Sequence, residues 1–388
     1  MTDYDAIVVG ARCAGAATAM LLARAGLDVL LVDRATFPSE IPHGHFVHRH
    51  GPLRLAEWGL LQRVLDTGCP AITAVTQDLG DGPLTGRELE VDGIPFGVGP
   101  RRGVLDQILV EAAVEAGAEL RDGFAVLDYT TDRDRIAGVR GRDVRGRAVV
   151  EERARIVVGA DGRGSALART VRAPSVVSAP TVACWYFSYF SGAAVDGLEM
   201  YVRDRRAVFA FPTNDGLTGV FVGWPMECLP EVKRDVEGSF MGVMSGIPDF
   251  GERIAGGRRE ERWMGATQLP NFIRRAHGPG WALVGDAGCH KDPFLALGVC
   301  DAFRDAELLA GAIAEGLTGA APLPEALAAY ERRRDDATME DFHVNLASAH
   351  LAPAPPEVYA ARAAARGDDA ATRRFFLRRA GKVAEVAA

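Results

Sequence analysis

The chain reads as an α/β protein: a discontinuous parallel-sheet domain, an inserted and mostly antiparallel β-sheet domain, and a helical C-terminal segment. Three observations predict this. Residues 4–34 alternate strand, helix and strand, and an apolar strand of the same kind returns near residue 281. Between them, from about 179 to 265, the pattern changes to short aromatic strands split by turns.

The first unit is DAIVVG, AATAMLLARAG and DVLLVD, with Gly26 placed to stop the helix. Its second strand is apolar on both faces, as a buried parallel strand must be. Residues 35–55 are rich in Pro, His and Gly and read as an ordered functional loop. Helical periodicity over 102–117 ends at a glycine and is followed by FAVLDY, RIAGVRG and RARIVVGADG as strands. CWYFSYF, RAVFAFP and LTGVFVGWP alternate like antiparallel strands with one face buried. WALVGDAG restores the apolar strand, a long helix is expected from about 298 to 315, and the charged helical tail breaks at LAPAPPE. The expected division is 1–75, 100–178 and 265–322 for the parallel-sheet domain, 76–99 and 179–264 for the inserted sheet domain, and 323–388 for the helical segment.

A net charge of −8 over 388 residues argues against nucleic acid or an anionic membrane as the main partner. The longest charge-free run, 173–195, holds two prolines and five Ser/Thr residues, so it reads as strands and no membrane span is expected. Six scattered cysteines without a C-x-x-C pair indicate reduced thiols and a cytoplasmic location. The N-terminus enters a strand at once, which leaves no room for a signal peptide.

Residues 8–15, VVGARCAG, place Arg12 where a G-x-G-x-x-G loop has its middle glycine. Gly10 can supply the sharp turn, Gly15 the close packing, and the first amides of the helix a seat for phosphate. Arg12 adds a Cβ where backbone should approach pyrophosphate, but also a cation that can pair with it. Asp33, 18 residues after Gly15, stands where a carboxylate accepts ribose hydroxyls and would repel a 2′-phosphate. This much specifies a dinucleotide, with FAD and NAD both open.

Two further motifs, VVGADGR at 157–163 and VGDAGCHKDPFLALG at 284–298, complete a set. With the glycine loop they resemble the three fingerprints of the group A flavoprotein monooxygenases, the FAD-dependent aromatic hydroxylases and their relatives. The resemblance extends over LLVDRATFPSE, RRGVLD, AFPTNDGLT and DAFRDAELLA. It implies a Rossmann-type FAD-binding domain with FAD resident, held through Gly10, Arg12, Cys13, Ala14, Gly15, Asp33 and Arg34 at the first motif. Arg102 resembles the arginine that steadies the flavin side chain and pyrophosphate, and Val126 the residue whose backbone meets adenine. Asp161 belongs to the motif shared by pyrophosphate and passing NADPH or NADH. Gly285 and Asp286 resemble the ribityl-binding pair, and Pro293, Gly298 and Val299 the loop and helix start beneath the isoalloxazine ring.

His43, His45, His48 and His50 lie within eight residues, but no carboxylate or cysteine joins them at ligand spacing, so no metal is expected. His48 and His50 read as solvated loop residues. His45 aligns with a family histidine near the flavin edge and is a candidate base or hydrogen-bond donor. His290 matches a second family histidine, placed near the ring or supporting the loop. Of Trp185, Tyr186, Phe187, Tyr189, Phe209, Phe211 and Trp224, most are expected in the sheet core and one alternate set against a substrate.

The function the resemblance implies is an NAD(P)H-dependent monooxygenase. Reduced flavin and dioxygen would form a C4a-(hydro)peroxyflavin and pass one oxygen atom to a small apolar, aromatic or polyketide-like substrate. Two rivals stand: a geranylgeranyl-reductase-type enzyme acting on isoprenoid double bonds, toward which AVFAFPTNDGLTGVFVG leans, and a non-catalytic FAD-binding sensor or accessory protein.

Overall fold

A computed structural model describes residues 3–380 except 42, 88, 91, 145 and 147. Five parallel strands form the centre: β1 (Asp3–Val9), β2 (Val29–Val32), β3 (Glu119–Arg121), β4 (Val150–Gly159) and β5 (Trp281–Leu283), in spatial order β5-β4-β1-β2-β3. Every residue of β2 is buried, as its unbroken apolar run requires. One face is covered by α1 (Cys13–Arg24), α2 (Arg102–Glu115) and α3 (Gly298–Thr318). Alanines on α1 keep that helix thin, so Ala16, Ala17 and Met20 pack directly with Val8, Leu31, Leu105 and Phe303. The opposite face lies under Phe124 and Tyr129 of an antiparallel ribbon that extends the sheet from β4.

The inserted sheet spans two chain segments. Val75–Asp78 and Leu84–Gly86 join Leu198–Arg203, Arg206–Pro212, Thr218–Pro225 and Ala183–Ser191 in one sheet. All pairings are antiparallel except Val75–Asp78 with Leu198–Arg203. The expectation of one buried face fails here. Ala183–Ser191 is buried at every residue but the last, because three helices (Leu229–Arg234, Val236–Ser245 and Pro248–Ala255) cover the outer face. Phe240, Met244, Phe250 and Ile254 on those helices pack against Tyr186, Phe190, Tyr201 and Trp224. Gly238, Gly242 and Gly246 weaken the helical signal of this stretch. The Asp235 N-cap, accepting from Gly238 N at 2.8 Å, was the legible sign of it.

α4 (Leu323–Ala349) lies along α3, and the Tyr330 hydroxyl donates to Leu283 O at 2.8 Å, tying the tail to β5. Beyond Leu351 the chain returns to the inserted sheet. The buried Arg362 guanidinium donates to Gln77 O, Gln77 Oε1, Gly82 O and the Asp81 carboxylate.

The turn after β1 sets the geometry of the site. Gly10 has φ +104°, and a Cβ there would lie 2.5 Å from Ala160 O. A Cβ at Gly15 would lie 1.7 Å from Gly10 O. Gly15→Ala is therefore expected to force the loop from α1 and to lower stability by about 1–3 kcal/mol; an unchanged urea midpoint would contradict this packing.

Candidate functional site

Backbone and charge meet at the start of α1. Asp33 holds the loop, its Oδ2 accepting from Ala11 N and its Oδ1 from Ala35 N, both at 2.8 Å. A carboxylate has further lone pairs, so this grip does not exhaust it. Arg12 ends in an ion pair with Asp106 at 2.9 Å, a bond to Ser39 O at 3.2 Å and a stack on Phe37. Asp106 is fully buried and also accepts from Arg102 at 2.9 Å and from the Cys13 thiol at 3.3 Å. Burial alone would lower the Arg102 pKa, but the Asp106 carboxylate outweighs it and keeps the guanidinium charged. Two cations on one carboxylate leave positive charge beside the N-terminus of α1, where a phosphate would sit.

A second helix start faces this one. Pro293–Leu295 makes a short turn, Ala296 takes φ +52°, and α3 begins at Gly298 with no side-chain cap on its first amides. Three side chains hold the turn. Asn345 accepts from Leu295 N and donates to Asp292 O; Asp292 caps Phe294 N; and His48 Nε2–H donates to Leu295 O at 2.9 Å. His48 is therefore a half-buried support, which corrects its reading as a solvated residue, and burial holds its pKa down to about 4.

The other histidines go separate ways. His45 Nδ1–H donates to Gly99 O at 3.0 Å, and its Nε2 accepts from the Tyr189 hydroxyl at 2.9 Å. Burial drives its pKa down to about 3, so the ring is neutral with both nitrogens bonded inside the protein. His43 accepts from Arg163 at 3.4 Å, and burial with nearby Arg102 lowers it to about 4. His290 Nδ1–H donates to Pro270 O at 2.5 Å. Among the described residues no three His, Cys, Asp or Glu side chains converge as metal ligands.

One cavity of about 1820 Å³ connects these parts. Gly10, Arg12, Cys13, Ala14, Asp33 and Arg34 line its first end, with Val126 and Asp161 beside them. Arg102, Gly285, Asp286 and His290 line the middle, and His45, Pro293, Gly298 and Val299 the region of the α3 start. Gly15 does not line it; it packs beneath the loop. Trp185, Phe187, Phe209 and Phe211 face the cavity, while Tyr186 and Trp224 belong to the core under the outer helices.

Two cavity residues that sequence reasoning passed over, or placed without this detail, indicate the ligand. Arg49 is 2% exposed, and its Nε and Nη2 have no hydrogen-bond partner; burial lowers its pKa to about 10. Asp161 Oδ2 accepts from Ala166 N, whereas its buried Oδ1 has no partner. An orphaned cation and an orphaned acceptor in one cavity suit a ligand with both anionic and hydroxyl groups. Gly285 adds a close approach: it has φ +59°, and a Cβ there would lie 2.7 Å from that of Ala14. These residues fit a flavin dinucleotide. Arg49 was legible only as an arginine among histidines.

The model of a family described as an FAD binding domain matches residues 3–236. The chain belongs to this FAD-binding family. FAD is accordingly its cofactor, and the protein is an FAD-dependent oxidoreductase. Over 361 residues it is 27% identical to digeranylgeranylglycerophospholipid reductase 2 of Methanopyrus kandleri, covering 88% of this chain and 83% of that protein. It is 28% identical over 372 residues to the corresponding reductase of Methanosarcina mazei, with the same coverage. Its fold is shared with the myxobacterial chondrochloren halogenase (TM-score 0.83, 22% identity, 95% and 91% of the two chains). It is also shared with a probable FAD-dependent monooxygenase from Pseudomonas aeruginosa (TM-score 0.75, 22% identity, 97% and 100% of the two chains). No helix among the described residues is long and apolar enough to cross a membrane.

Two outcomes are expected. Asp286→Ala removes a cavity-lining carboxylate and should purify with substoichiometric flavin, read from visible absorbance; full occupancy would contradict the assignment. Asp106→Ala leaves two guanidinium groups without their shared partner and should lower stability by about 3–5 kcal/mol, measured by urea unfolding.

Proposed function

We propose that this FAD-dependent oxidoreductase hydrogenates a carbon–carbon double bond of an elongated apolar substrate, with NADH or NADPH binding transiently to reduce the flavin. The observation that carries this reading is the apolar arm of the cavity, the part lined by the inserted sheet and the tail. Val75, Leu198, Met200, Trp185 and Phe209 of the sheet line it, with Leu351, Val358 and Phe376 of the tail. The volume of the whole cavity exceeds the roughly 300–1,000 Å³ of a site for one ligand. The chain-long likeness to reductases that bear a double-geranylgeranyl substrate in their names supports the same reading. Among the described residues one glycine loop of the dinucleotide type sits at a strand–helix turn, so in this reading the nicotinamide donor has no fold of its own.

In this reading FAD supplies hydride-transfer chemistry when bound. Arg12 and Arg102 would face its diphosphate, Asp33 and Asp286 would accept its ribose and ribityl hydroxyls, and the orphaned Arg49 would meet another of its polar groups. The uncapped N-terminus of α3 would favour negative charge on a group bound against it. His45, neutral and fully bonded, lines the cavity and is fixed there by the Gly99 carbonyl and the Tyr189 hydroxyl.

Monooxygenation of an apolar aromatic or polyketide-like molecule is the second reading. It is favoured by the aromatic enclosure of Phe187, Phe211 and Phe221, whose rings stack at 4.6 and 5.3 Å and would keep water from an oxygen-transfer step. Turnover under labelled dioxygen separates the two. Hydrogenation predicts anaerobic turnover and no label in product; label in product, or an absolute need for oxygen, would refute it.

A further inference from the structure

We propose that Asp292 is the proton donor to the substrate, an uncharged carboxylic acid placed where the turn before α3 meets the apolar arm of the cavity. The proposal rests on the reductive reading above. Asp292 is 3% exposed and lines the cavity. Its Oδ1 accepts from Trp185 Nε1 at 3.2 Å and from Phe294 N at 3.1 Å. Its Oδ2 is buried and has no hydrogen-bond partner. Two donors on Oδ1 mark that oxygen as the carbonyl, which leaves the proton on Oδ2.

The surroundings favour the un-ionised form. Trp185, Phe209 and Phe294 form a ring cluster beside it, with centroids 5.6–6.4 Å apart. On its own loop, Lys291 pairs with Asp301 at 2.6 Å, and His290 is bonded to Pro270 O. The inserted strand contributes the Cys184 thiol, raised to about 11 chiefly by burial. From α4, Asn345 is neutral, Asp341 interacts with Lys291, and Glu340 lines the cavity. Burial raises the Asp292 carboxyl from its ordinary 3.8 to about 7, opposed only by its two hydrogen bonds.

Capping alone does not account for this residue. A cap needs one oxygen, and Oδ1 fills that role; an asparagine would cap Phe294 N equally well. The main chain is gripped on both sides, with Asp292 N donating to Asn271 Oδ1 at 2.7 Å and Asn345 Nδ2 donating to Asp292 O at 2.8 Å. The free oxygen is thereby held in one place at the cost of an orphaned polar atom, an arrangement that a ligand would complete. Reduction of one C=C bond needs a hydride and a proton. FAD, when bound and reduced, would supply the hydride to one carbon; the Asp292 Oδ2–H bond breaks to protonate the other, and water reprotonates the carboxylate.

The experiment uses purified holoenzyme as wild type and as Asp292→Asn, which keeps the cap and the Trp185 bond. Infrared difference spectra across pH should show the carbonyl band of one un-ionised carboxyl that titrates near pH 7 in wild type and is missing in the variant. Because the folded-state pKa is raised, wild-type stability should fall relative to the variant as pH rises from about 4 to about 7 and then level off. With geranylgeraniol as probe, flavin in both proteins is first reduced fully by NAD(P)H, so that reoxidation is compared from the same state. Reoxidation by the probe should slow about 10²–10⁴-fold, and the wild-type rate should decline above about pH 7. Absence of the carboxyl band, or equal reoxidation rates in the two proteins, overturns the assignment of Asp292 while leaving the reductive reading intact. Product labelled from dioxygen overturns that reading and the proton donation with it.

Discussion

Everything in the site depends on how closely the backbone after β1 approaches that after β4. Gly10 and Ala160 come so near that a Cβ on the former would meet a carbonyl oxygen at 2.5 Å, and Gly15 then seats α1 on the Gly10 carbonyl. That contact points the first amides of α1, Arg12 and the Asp161 turn into one cavity. Asp33 reinforces it by accepting two amides from the segments it joins. Without the two glycines the helix would ride further from the sheet, and the phosphate-facing groups would separate.

Buried charge is the second constraint. Asp106 joins α1 to α2 by holding Arg12, Arg102 and a thiol at once. Lys291, Asp301, Arg304 and Asp305 form a comparable network under the start of α3, and Arg304 reaches Thr338 on α4. Such networks contribute little net stability, because desolvation offsets much of the attraction. They do fix the positions of two helix N-termini relative to one another. A dinucleotide with a charged middle and a ring at one end needs that spacing more than it needs tight packing.

Much of the nucleotide half was legible because its rules are local. The glycine loop, the apolar strands, the helix from Arg102 and the stop at Gly26 follow from steric and periodic requirements within a dozen residues. The inserted half was read less well. Its aromatic alternation identified the strands, and the inward set of Trp185, Phe187, Phe209 and Phe211 does line the cavity. The three outer helices were missed because their glycines mask a short i, i+4 pattern that only the sheet beneath makes stable. The histidine cluster misled for a related reason: spacing along the chain does not show which way each ring turns.

From the sequence alone came the class of fold, the order of its parts, and a dinucleotide site identified as one for FAD through family likeness, since these rest on short-range backbone geometry and on three separated motifs. Tertiary structure decided what the remaining polar groups are. Arg49 is an ordinary arginine in the sequence and an orphaned cation in the fold. His48 reads as a solvated ring, yet it braces a turn 247 residues away. Asp292 is one of many aspartates until Trp185, 107 residues earlier in the chain, takes one of its oxygens and burial neutralises the other. Ionisation and hydrogen-bond satisfaction depend on which atoms exclude water, and that is settled only by contacts between distant segments.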